Sequence, residues 1–186
     1  MRILPNMTVI VPCDALEAKK ATIASASHEG PVYLRLGRSG VPLITKEEDN
    51  FQIGRANLLK DGLDVTIIAC GVEVYEALCA AEALKKENIS ARVINLHTIK
   101  PIDRDIIIKA AKETGAIVTA EEHTVIGGMG SAVSEVLSQN LPVPMEFIGV
   151  KDRFGESGDP KELFKLFGLT ADDIVKAVKK AISRKK

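Results

Sequence analysis

Compact β-branched runs alternate with helix-period segments along most of the chain, and this alternation limits the possible folds more than any other feature. Thr8-Val9-Ile10-Val11, Val32–Leu36, Val65–Cys70, Arg92–Leu96, Ala116–Ala120 and Met145–Val150 are short and apolar enough to be buried strands. Between them apolar residues recur at helical spacing, as at Val74, Ala77, Leu78, Ala81 and Leu84, or at Ile106, Ile107, Ala110 and Ala111. Strands separated by helices need crossover connections. The expected fold is therefore α/β: a three-layer sandwich with a mostly parallel sheet covered on both faces.

The punctuation supports these elements. Asp14 followed by Glu17 predicts a helix start with a capping box, and His28-Glu29-Gly30-Pro31 ends that helix. Gly71 closes a strand, and Gly115 is placed to close a helix in the left-handed conformation. Asp159-Pro160 and Thr170-Ala171-Asp172-Asp173 read as starts of the last two helices, the final one presenting Ile174, Ala177, Val178, Ala181 and Ile182. The Lys-rich end beyond Lys176 reads as the solvated face of that helix.

The alternation breaks once. Gly37-Arg38-Ser39-Gly40-Val41-Pro42 carries turn residues, and Thr45–Asn50 is charged. We read residues 38–50 as a linker, with a long surface loop as the alternative. Residues 1–37 then form a strand–helix–strand too small to bury a core of its own, a remnant of a second α/β domain. Residues 51–186 hold enough strands for a complete domain with a five-stranded sheet, counting Gln52–Leu59 as an edge strand before a turn at Lys60-Asp61-Gly62.

Composition excludes several function classes. Lys plus Arg and Asp plus Glu are both 25, so net charge is zero and gives no electrostatic case for nucleic acid or an anionic membrane. Trp is absent, which argues against base-stacking platforms. The longest apolar runs fall far short of the ~20 residues of a membrane span. Three Cys without a C-x-x-C indicate neither a disulfide framework nor a zinc ribbon, and fit a reducing cytoplasm. Cys70 and Cys79 are expected in the core and Cys13 at a strand end, all unreactive.

Few motifs carry chemistry. Gly127-Gly128-Met129-Gly130-Ser131 follows a strand and precedes a helix, where glycine lets backbone amides approach an anion. A dinucleotide fingerprint needs a third small residue, and Val133 stands there instead, so a tight strand-to-helix turn is the favoured reading. Glu121, Glu122 and His123 follow a strand's carboxyl end, where open α/β sheets place sites. They suit proton transfer or metal ligation, or hydrogen bonds within a loop or interface. His97 sits likewise after a strand. Arg35 and Arg38 flank the end of the second strand; either suits bidentate phosphate binding or a plain surface ion pair.

Several segments together resemble the C-terminal section of transketolase. Ile3-Leu4-Pro5-Asn6-Met7-Thr8-Val9-Ile10-Val11-Pro12-Cys13-Asp14 is similar to a segment late in that family's pyrimidine-binding domain, and Gly30–Arg38 to the strand that closes it. Gly71-Val72-Glu73-Val74, Glu121–Gly130 and Asp152-Arg153-Phe154-Gly155-Glu156-Ser157-Gly158 resemble parts of its C-terminal domain. Most of these are shared with 1-deoxyxylulose-5-phosphate synthase and the beta subunits of 2-oxoacid dehydrogenases; the last is more specific to transketolase. The resemblance implies an enzyme that moves a two-carbon ketol unit between sugar phosphates with thiamine diphosphate and Mg²⁺. It places the cofactor site and the activating glutamate upstream of this chain, which contains no G-D-G. The chain alone is then expected to bind no cofactor and to be inactive until joined by a missing upstream region or companion subunit. A homo-oligomer is expected, with this chain supporting packing and the dimer. Arg38 matches the family's substrate-phosphate arginine, while Glu121, Glu122, His123, Gly128 and Gly130 mark a loop or interface site. A free-standing interaction module of the same fold is the rival from another class.

Overall fold

A computed structural model describes residues 1–185. The elements are β1 (Thr8–Ile10), α1 (Ala15–Ala26), β2 (Val32–Leu34), β3 (Asn57–Lys60), β4 (Val65–Ala69), α2 (Glu73–Lys85), β5 (Ala91–Asn95), β6 (Thr98–Lys100), α3 (Arg104–Thr114), β7 (Ile117–Thr124), α4 (Met129–Asn140), β8 (Met145–Val150), α5 (Pro160–Phe167) and α6 (Ala171–Ser183). Five strands form the main sheet in the order β3-β5-β4-β7-β8. β4, β5, β7 and β8 run parallel, and β3 joins the β5 edge antiparallel. The expected mostly parallel five-stranded sheet is therefore the observed one.

Burial follows from the strand sequences. Every residue of β4 and β5 is buried, as expected of strands covered on both faces. On one face Val65, Ile67, Val93 and Val118 pack against Ala77, Ala81 and Leu84 of α2 and Ile174, Val178 and Ala181 of α6. On the other, Ile68, Ile94 and Ile117 pack against Ile107 and Ala111 of α3 and Val133 and Leu137 of α4. The helical phase of α2 puts Ala80 inward, so Cys79 is only half-buried and not the core residue the spacing suggested.

Helix ends follow their signals. Gly115 closes α3 at φ 67°, and Thr170 with Asp173 forms a capping box on α6. Asp14 caps α1 by accepting the Glu17 amide at 2.9 Å. Glu17 departs from the expected box: its carboxylate accepts from the Cys13 amide, one residue earlier, at 2.7 Å. It also accepts from Asn95 Nδ2 at 2.8 Å, which ties α1 to the end of β5.

The strand–helix–strand of residues 1–37 is present, but its sheet has a third member. β1 pairs parallel with β2 and antiparallel with β6, giving the order β2-β1-β6. β6 was not anticipated; it is three residues long and lies directly after β5. The segment over residues 38–50 forms no helix or strand, but it is not free. Its later half is fastened along α1 by Asp14, Lys19 and Lys20. The edge strand foreseen at Gln52–Leu59 is β3, which begins at Asn57.

Candidate functional site

β7 runs longer than its apolar core. Thr124 still pairs with Val150, so Glu121, Glu122 and His123 lie on a strand and not in a loop. Strand alternation then separates their side chains. Glu121 is 3% exposed and points inward, Glu122 is half-buried, and His123 is exposed. His123 Nδ1 lies 2.9 Å from the Thr124 carbonyl and 4.0 Å from Glu121 Oε2.

Glu121 explains the glycine turn. Its Oε2 accepts the Met129 amide at 2.7 Å and its Oε1 the Gly130 amide at 2.8 Å. These are orphan donors at the first turn of α4, where an anion is favoured. The protein's own carboxylate thus occupies the position a phosphate would take. Burial pushes the Glu121 carboxyl above the usual range, opposed by these two amides and by the nearby His123 and Arg35. Gly128 is required by the same contact: a Cβ there would lie 2.6 Å from Glu121 Oε1 and 2.6 Å from the Thr124 carbonyl. Gly130 is required by packing, since a Cβ would lie 2.6 Å from both Phe147 and Thr119 Oγ1. Gly127 holds φ 72°, a left-handed conformation that glycine adopts without strain.

The two candidate arginines differ. Arg35 turns back into the protein, donating to the Glu122 carbonyl and lying 3.5 Å from Glu122 Oε2. Arg38 is exposed on the segment after β2 and has no hydrogen bond or ion pair among the described residues. Of the pair, Arg38 is the one without a partner among the described residues. Around Arg35 a small cavity lies between the two sheets, lined by Arg2, Tyr33, Glu121, His123 and Met129 among others. Arg2 closes it by a bidentate pair with Glu135 of α4 at 2.8 and 2.9 Å and a bond to the Gly127 carbonyl at 3.1 Å.

Sequence reasoning named Asp14 and His97 without their buried surroundings and missed Glu73. Asp14 is a junction: it accepts from the Thr45 amide at 2.6 Å, the Ile44 amide at 2.7 Å and the Thr45 hydroxyl at 2.8 Å. Against desolvation, the Glu17 amide together with these bonds holds its carboxyl below the usual range. His97 is fully buried and stacked on Phe51 with ring centroids 4.3 Å apart; burial lowers its pKa to about 4. Glu73 opens α2 fully buried, and neither carboxyl oxygen has a partner among the described residues. Burial, reinforced by Glu76, Glu122 and Asp173, raises its pKa to about 9. Asp14 carried a signal as a helix cap, but its partners lie some 30 residues away. Glu73 read as an ordinary acidic first turn.

The glycine turn does not fit a diphosphate. It is filled by Glu121, and no group of three or more His, Cys, Asp or Glu able to hold a metal occurs among the described residues. No helix among the described residues is long and apolar enough to cross a membrane.

These features define an α/β domain whose glycine turn is internally satisfied, joined to a smaller sheet that it helps to complete. The chain belongs to the transketolase family: residues 54–174, more than half of it, match the model "Transketolase, C-terminal domain". It is 48% identical over 185 residues to the 6-deoxy-6-sulfo-D-fructose transketolase subunit of Clostridium sp. (strain MSTE9), covering 100% of this chain and 58% of that protein. It is 43% identical over 177 residues to an apulose-4-phosphate transketolase subunit of Phocaeicola vulgatus, covering 95% and 56%. A solved structure titled "Split gene transketolase, inactive beta4 tetramer" superposes with a TM-score of 0.98 at 52% identity, covering 100% of this chain and 61% of that one. The chain thus spans between half and two thirds of the length of these relatives.

Proposed function

We propose that this chain is the C-terminal part of a transketolase that moves a two-carbon ketol unit between sugar phosphates. Thiamine diphosphate and Mg²⁺ are held by an upstream region or companion subunit, and this chain alone neither binds them nor turns over. Its own contributions are to complete the neighbouring domain, to support the oligomer and to bind the substrate's anionic end through Arg38. The observation that carries this reading is the unfinished three-stranded sheet. Among the described residues β2 has no strand on its outer edge, and this part of the chain exposes Ile3, Ile23, Leu36 and Leu43, Ile3 by 90%. A parallel edge with apolar surroundings is normally covered. The two subunits described above are named for a sulfonated and a phosphorylated sugar, which supports a cationic side chain for the anionic end. Of the two arginines flanking the end of β2, Arg38 is the one free to serve.

Calorimetric titration of the chain with thiamine diphosphate and Mg²⁺ tests the division of labour. No heat of binding is expected until the missing region is added, after which ketose phosphate donors are consumed. Tight binding by the chain alone overturns the reading. Use of pyruvate in place of ketose phosphates by the completed enzyme assigns it to the synthase or dehydrogenase branch instead.

A further inference from the structure

We infer that the Asp14–Thr45 contact is a positioning device for Arg38, a role that rests on the reading of Arg38 given above. Residues 36–43 make no hydrogen bond among the described residues, and Leu36–Gly40 are all exposed. The hydrogen bonds that hold this arch lie at its two ends, and between them Gly37 packs against Val72. At the first, the Arg35 amide donates to the Ile10 carbonyl at 2.9 Å, and the Arg35 guanidinium holds the Glu122 carbonyl at the end of β7. At the second, the Asp14 carboxylate receives the Ile44 amide, the Thr45 amide and the Thr45 hydroxyl, the last at 2.8 Å to Oδ1 and 3.0 Å to Oδ2. Asp14 and Thr45 are both buried. Beyond Thr45 the chain stays fastened, with Lys20 Nζ donating to the Asp49 carbonyl at 2.8 Å and Lys46 donating its amide to Asp49 Oδ2 at 2.8 Å.

Arg38 therefore sits on a span without hydrogen bonds between two fixed points. A charged side chain on an unanchored loop must be ordered when ligand arrives, and that ordering weakens binding. A buried carboxylate with three donors from one dipeptide reduces this loss without touching substrate. Thr45 is thus a positioning residue, acting through Arg38 on the binding of the anionic end only. It leaves the chemistry at the other end of the sugar unchanged.

The test uses the enzyme assembled with its companion region and compares D-fructose 6-phosphate with unphosphorylated D-fructose. Thr45→Val keeps the side-chain shape and both amides but removes the hydroxyl. We expect KM for the phosphorylated sugar to rise about fivefold, with kcat changed less than about twofold and KM for D-fructose unchanged. Thr45→Ser should restore the parent value. Arg38→Ala should raise the same KM by more, and adding Thr45→Val to it should cost little further, because the two act in series. Nitrogen-15 relaxation on the chain gives a readout independent of turnover: the order parameter at Gly40 should fall in Thr45→Val and recover in Thr45→Ser. If Arg38→Ala leaves KM for the phosphorylated sugar unchanged, the phosphate-binding reading fails. If Arg38→Ala raises it while Thr45→Val moves neither KM nor the Gly40 order parameter, that reading stands and the positioning role is overturned. Equal rises in KM for both sugars would also overturn it.

Discussion

The two sheets of this molecule are built from similar strands but finished to different degrees. The five-stranded sheet carries α2 and α6 on one face and α3 and α4 on the other, and its central strands are buried throughout. The three-stranded sheet borrows β6 from the larger unit, has α1 as its own helix, and leaves β2 half-buried with an open edge. Helix α1 buries only Glu17 and Ala21, and its Ile23 is 62% exposed. The lesson is that one chain can hold a sheet covered on both faces beside a smaller one left open at an edge. The smaller sheet is tied to the larger unit by β6, the Glu17–Asn95 bond and the Arg2–Glu135 pair. Stability should therefore reside in the larger sheet, and association in the smaller one.

The strongest way to break this division is at Gly62, in the turn between β3 and β4. A Cβ there would approach the backbone of Ala91 and lie 2.5 Å from the Arg92 amide nitrogen. Backbone cannot yield as a flexible side chain can. Gly62→Ala should cost about 4 kcal/mol and lower Tm by about 12 °C. Thermal unfolding by circular dichroism measures this, and the smaller sheet should melt in the same transition. A separate, unshifted transition for residues 1–37 would contradict the dependence of the fragment on the finished unit.

Next in size is a pH effect lodged in Glu73. Its folded pKa of about 9 lies above the 4.5 of an ordinary glutamate. Between those values the folded chain keeps a proton that the unfolded chain has released. Stability from this group therefore declines as pH rises through that window, and below it there is no penalty. At pH 7 the loss is about 3 kcal/mol. Glu73→Gln removes the titration, so the variant should gain on the parent steadily from pH 5 to pH 8 in urea denaturation. His97 works in the opposite direction below its ordinary pKa, but it is common to both proteins and cancels in the difference. A pH-independent difference would show that Glu73 is not buried in its protonated form.

The smallest effects on stability belong to the fragment's exposed apolar residues. Ile3→Ser and Ile23→Ser should each change stability by less than about 0.5 kcal/mol. Yet both should reduce self-association of the isolated chain, measured by light scattering across a concentration series. A parent chain that remains a clean monomer over that series would remove the case for an unsatisfied docking surface.

How legible these features were depended on the range of the interactions. Elements defined by local periodicity and caps, such as α3 with Gly115 or α6 with Thr170 and Asp173, stood out in the sequence because their causes lie within a few residues. β6 did not, because three residues carry no period and their partner β1 lies some 90 positions earlier. The end of β7 was misplaced because Glu121, Glu122 and His123 look like loop residues until Glu121 is seen to cap α4. That cap had a readable signal, an acidic residue shortly before a glycine turn that opens a helix. The fastening of residues 44–49 to α1 had none: charged and polar residues in a patternless stretch read as a solvated linker, whereas Asp14 makes part of it a buried joint. Arg38 was located by resemblance, and the structure added that Arg35 is already engaged.

The carboxylate in the α4 turn has a consequence for competition. Glu121 behaves as a ligand tethered to its own receptor, held in place by the strand it grows from. A free anion would have to displace it, desolvate the same amides, and leave Glu121 buried with nothing to accept from. Tethering gives the resident group an effective concentration far above that of any metabolite in solution. The turn therefore stays closed to phosphate and nucleotides in solution.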